Sequence, residues 1–129
     1  MKFITGSLNE VCKRIGFSFD QKIIEKDNLL YVDGINVGKI ENNKYFWNIN
    51  LFRLVEQFDN VLKLDSKKAF LFVCGRDILS KDGIENKYYF VFDSNDNFLG
   101  LAVFTGKMYK NKLNIGVFVD NYFGKSLLT

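Results

Sequence analysis

Leu29-Leu30-Tyr31-Val32-Asp33-Gly34-Ile35-Asn36-Val37-Gly38-Lys39-Ile40 carries the strongest short hairpin signal in the chain. Asp33-Gly34 sits between two apolar runs rich in β-branched residues. A type I′ hairpin turn needs positive φ at both central residues, and Asp-Gly supplies that at low cost. On its N-terminal side, residues 22–26 and 29–32 flank a second turn dipeptide, Asp27-Asn28. Residues 35–40 run into the polar turn Glu41-Asn42-Asn43, and residues 45–49 follow. The pattern predicts an antiparallel meander over residues 21–50. Gly38, inside a strand pattern, points to a bulge or a close backbone contact.

Helical patterns flank this meander. Ser7-Leu8-Asn9-Glu10 has the form of a capping box. Leu8, Val11, Cys12 and Ile15 then fall on one helical face, with Gly16 as the stop. A helix over residues 7–15 is expected. Asn50 is placed to cap a second helix over residues 51–63. Leu51, Leu54, Val55, Phe58, Val61 and Leu62 form its apolar stripe, and Arg53, Glu56, Asp59, Asn60 and Lys63 its polar face.

The remainder reads as a second meander. The continuous apolar run 69–74 predicts a central strand, followed by a polar loop over 76–87 around Asp82-Gly83. Residues 88–92 and 98–104 read as strands joined by Asp93-Ser94-Asn95-Asp96-Asn97. A last turn is expected around Gly106 and Lys110-Asn111, then a half-buried strand over 113–119. The sum is a single α+β domain over residues 1–129. Its antiparallel sheet of roughly six to eight strands, in two meanders, carries two amphipathic helices packed on it.

Composition narrows the chemistry. The chain has 129 residues, no His and no Pro. Without His there is no Ser-His-Asp triad, no Cys-His dyad and no His metal ligand. Lys outnumbers Arg fifteen to three, and Ala occurs only at Ala69 and Ala102. That bias matches an AT-rich genome, which also accounts for the missing Pro. The ten Gly run against it, and this predicts backbone reasons for many of them. A net charge of +3 is a weak pointer to an anionic partner. Cys12 and Cys74 belong to no CxxC pair and read as buried free thiols. No signal-peptide pattern opens the chain, and no apolar run approaches the roughly 18 residues of a membrane span. A cytoplasmic protein without membrane contact is expected.

Two motif fragments fail on their own terms. Gly124-Lys125-Ser126 has the ending of a phosphate-binding loop, but the required earlier Gly is Val119. The loop 93–97 begins like an EF-hand, but Phe98 and Phe104 stand where Gly and Glu are needed. No two carboxylates are spaced to act as a pair. No catalytic residue, metal ligand or cofactor site is therefore assigned.

The segment from 88 to 128 carries one resemblance. Phe90-Val91-Phe92-Asp93, then Asn97-Phe98-Leu99-Gly100-Leu101-Ala102-Val103-Phe104, then 115–119 and Tyr122-Phe123-Gly124-Lys125, resembles the central sheet of GNAT-type acetyltransferases. The resemblance implies a small enzyme with acyl-CoA bound at a loop that opens a helix. Phe123 stands where that family has Arg, and Ser126 where it has Gly.

Lys and aromatic residues interleave at Lys44-Tyr45-Phe46-Trp47, Lys87-Tyr88-Tyr89 and Lys107-Met108-Tyr109-Lys110. Such a surface could stack nucleic-acid bases. The fourteen Phe and six Tyr exceed the needs of a core this size and predict an exposed patch instead. The leading expectation is a non-catalytic protein-binding module, of the inhibitor or immunity type, acting by contact with another protein. Tyr45, Trp47, Tyr88, Tyr109 and Tyr122 are its candidate patch residues, because Trp and Tyr dominate interface hot spots. Arg76, one of three Arg, joins them.

Overall fold

The computed structural model describes residues 7–116. These fall into two compact units, one holding residues 7–57 and the other residues 58–116. Together the described residues contain eleven strands and three helices. The α+β class stands, with more strands and one more helix than the sequence suggests.

The first unit opens with α1 (Leu8–Ile15). Gly16 ends it with φ at 89°, and its amide donates to the Cys12 carbonyl at 2.9 Å. Ser7 holds the N-cap position in extended conformation, but its side chain makes no capping bond. The short strand β1 (Phe17–Ser18) follows.

The meander forms as expected from β2 (Ile24–Lys26), β3 (Leu29–Val32), β4 (Ile35–Glu41) and β5 (Lys44–Trp47), paired antiparallel in that order. Its three turns are Asp27-Asn28, Asp33-Gly34 and Asn42-Asn43. All six residues have positive φ, the condition for I′ turns whose twist matches the flanking strands. Gly38 answers to both readings. Leu30 pairs with Gly38 while Tyr31 pairs with Asn36, so Val37 is the extra residue of a bulge. A Cβ at Gly38 would lie 2.5 Å from the Phe46 carbonyl oxygen.

Asn48 caps α2 (Ile49–Arg53) by accepting from the Asn50 amide at 2.9 Å. Asn48 and Asn50 both donate side-chain bonds to the Asn36 carbonyl, at 3.2 and 3.1 Å. The Asn36 amide in turn donates to the Leu30 and Gly38 carbonyls. Three asparagines thus pin α2 to the bulge.

The helix expected over 51–63 does not form. α2 stops at Arg53, and the chain continues as β6 (Gln57–Phe58), where it passes into the second unit, and β7 (Val61–Leu64). A 3-4 apolar spacing also fits a short helix followed by a strand. Leu51 and Val55 are buried by the first. In the second, Leu62 and Leu64 turn inward while Val61 and Lys63 turn out. Asp59-Asn60, read as a polar face, is the turn between β6 and β7.

The strand expected over 69–74 is likewise corrected to a helix, α3 (Ser66–Val73). Asp65 caps it by accepting from the Lys68 amide at 2.9 Å, and Gly75 lies beyond its end with φ at 92°. A short apolar run carries no periodicity that separates buried strand from helix. The burial separates them: Ala69 and Phe72 face the sheet, and Phe70 between them is 66% exposed.

β8 (Ile78–Leu79) lies inside the expected polar loop, followed by β9 (Tyr88–Asp93), β10 (Phe98–Phe104) and β11 (Met108–Asn114). Lys110-Asn111 therefore belongs to a strand, not a turn. Residues 117–119 of the expected last strand lie outside the described residues. The sheet order is β7-β9-β10-β11-β8. All pairs are antiparallel except β7 with β9, which is parallel. α3 packs on one face, where Phe72, Tyr89, Val91, Leu99, Ala102, Phe104 and Tyr109 form one apolar cluster. On the other face Phe90 stacks on Phe58 at 4.5 Å between ring centres, and Phe92 and Phe98 close the group.

Candidate contact surface

Strand alternation decides which side chains of the meander meet solvent. On β3, Leu30 and Val32 are buried, so Leu29 and Tyr31 take the opposite face. Directly paired residues share a face. The ladder therefore sets Lys26, Leu29, Lys39 and Phe46 in one row across all four strands. Ile24 and Tyr31 form a second pair beside it. Ile24 is 53% exposed, and Tyr31 and Phe46 are half-buried. Lys39 pairs with Glu41 at 3.2 Å. The face combines aliphatic, aromatic and ammonium groups in alternation, and β2, exposed along its length, forms one edge of this sheet.

The same alternation places the sequence-derived candidates. Trp47 is 1% exposed and Tyr45 lies on its side of the strand, with ring centres 5.7 Å apart. Phe46, between them, is the residue turned outward. Tyr109 is 3% exposed in the second unit, under α3. Tyr88 is half-buried on β9, and its carbonyl accepts from the Asn60 side chain. Arg76 is exposed after α3, where its carbonyl accepts from Asn111 at 3.2 Å. Tyr122 lies outside the described residues. Tyr45 and Trp47 adjoin one another in the first unit, whereas Arg76, Tyr88 and Tyr109 are dispersed through the second. The signal that picks out Phe46, Tyr31, Leu29 and Ile24 was available in the sequence as the alternation of Leu30 and Val32.

Other chemistry is sparse. Cys12 and Cys74 are free, as expected, but Cys12 is half-buried and Cys74 exposed. Burial pushes the Cys12 thiol up, offset in part by the Phe19 backbone amide. The Asp93 carboxylate accepts from the amides of Asn97 and Asn95 at 2.9 and 2.8 Å, and from the Asn97 side chain. Those bonds, the Asn97 amide foremost, hold its pKa below the ordinary value. The loop is thus a self-bonded turn. Among the described residues no group of three His, Cys, Asp or Glu is placed to hold a metal. No described helix is long and apolar enough to cross a membrane.

No protein-family model and no curated protein matches this chain.

Proposed function

We propose that this chain is a cytoplasmic, non-catalytic binding module of the inhibitor or immunity type, which docks another protein on the outer face of β2–β5. The row Lys26–Leu29–Lys39–Phe46 carries the reading. Aromatic and aliphatic groups supply desolvation energy at an interface, and the exposed Lys26 at the end of the row favours a partner with an acidic group beside an apolar centre. The surface is built on a regular sheet with three tight turns, so little ordering entropy is lost on docking.

Capture from a lysate of the source cells tests this, comparing the native chain with an Ile24→Asp/Phe46→Asp variant. A protein retained by the native chain and lost by the variant, at unchanged melting temperature, supports the reading. Equal retention by both removes the meander face as the docking site. A single-stranded oligonucleotide bound through Tyr31 and Phe46 would show instead as a salt-dependent mobility shift. The acyl-CoA alternative predicts a rise in melting temperature with acyl-CoA.

A further inference from the structure

A cleft of about 450 Å³ opens in the first unit between residues 18–21 and 54–57. Ser18, Phe19, Asp20 and Gln21 form one wall, and Leu54, Glu56 and Gln57 the other. The volume falls within the range of small-ligand sites. Among the described residues, the lining holds two carboxylates, two carboxamides and a hydroxyl and no lysine or arginine, in a chain whose net charge is +3. Neither Asp20 nor Glu56 has an ion-pair partner among the described residues. Phe19 and Leu54 add apolar surface.

We infer that this cleft binds a small organic cation, an aliphatic amine or guanidinium, with its charged head between Asp20 and Glu56. Its methylene stem lies against Leu54 and Phe19. Gln21 and Gln57 supply both donors and acceptors, so a second polar group on the ligand finds a partner at either end. An anion is excluded by the two carboxylates, and a purely apolar ligand by the five polar side chains. None of these lining residues belongs to the outer face of the meander, and binding here does not depend on a protein partner.

The test is calorimetric and NMR titration of the full chain with agmatine, which carries an amine and a guanidinium on one aliphatic stem. Saturable one-to-one binding is expected, with amide shifts confined to residues 18–21 and 54–57. Asp20→Asn/Glu56→Gln should weaken it by roughly tenfold or more, and 1-butanol should give no saturable shift. Both carboxylates are exposed, so the variant is expected to keep its circular dichroism spectrum and melting temperature; Glu56→Gln alone serves if it does not. Absence of saturation at millimolar agmatine, or binding undiminished by removal of the carboxylates, overturns the assignment.

Discussion

The Tyr109 hydroxyl donates a 2.6 Å hydrogen bond to the carbonyl oxygen of Asp82. Tyr89, packed edge-to-face on Tyr109 at 5.0 Å, accepts from the Ile84 amide at 2.7 Å. The two tyrosines hold the loop before β9 down on the sheet. Gly83 lies so close above them that a Cβ there would meet the Tyr109 oxygen at 2.6 Å. Burial first, and then Tyr89, push the Tyr109 pKa up to about 12. A tyrosine ionises near 10 in the unfolded chain. The unfolded state therefore sheds its proton first as pH rises, and stability falls between about 10 and about 12. Denaturant titrations across that window should show the loss, and Tyr109→Phe should remove this contribution to the slope while costing about 1 kcal/mol at neutral pH.

Asn111 joins β11 to the end of α3. Its side chain donates to the Phe72 and Arg76 carbonyls at 2.7 and 3.2 Å, and its backbone amide donates to Asp77 at 2.8 Å. Its own oxygen accepts from Asn114, which is buried. Asn111→Ala leaves helix-end carbonyls and a buried amide without these partners. A loss of about 2 kcal/mol is expected in urea unfolding.

Gly38→Ala tests the close approach of β4 and β5. The new methyl group meets the Phe46 carbonyl oxygen at 2.5 Å, with the Trp47 ring at 3.2 Å. The strands must separate, at a cost of about 1–3 kcal/mol. A lowered melting temperature with exposed Trp47 fluorescence is the expected result.

The two thiols should differ in rate. Cys74 is exposed, whereas Cys12 is half-buried with its thiol pKa raised. Thiolate is the reacting species, so a disulfide reagent at pH 8 should label Cys74 in a fast phase and Cys12 in a slower one. Cys74→Ser should abolish the fast phase alone.

What was legible in the sequence followed local chemistry. Asp27-Asn28, Asp33-Gly34 and Asn42-Asn43 each carry their own demand for positive φ, and the strands between them are fixed by those turns. Gly16 was legible for the same reason, and Gly38 because a glycine inside a strand pattern marks a bulge or a close backbone approach. The chain between Leu51 and Cys74 was not. Its apolar residues satisfy two periods at once, and the choice between them is made by β9, which pairs with β7, and by the sheet face that receives Ala69 and Phe72. Asp65, a cap, was the local clue to α3. The candidate surface failed to resolve at one-residue scale: residue type favoured Trp47, while alternation turns Phe46 outward.

The parallel pairing of β7 with β9 sets an order on synthesis. The meander β2–β5 pairs each strand with its immediate successor, so it can close hairpin by hairpin as the chain leaves the ribosome. β7 has no such neighbour. Its ladder, from Val61↔Phe90 to Leu64↔Asp93, waits until α3, β8 and the loop after them have all been made. During that interval the apolar run of α3 and the strand Val61–Leu64 stand without the sheet that will cover them. The second half of the chain is therefore the part whose birth calls for protection against self-association.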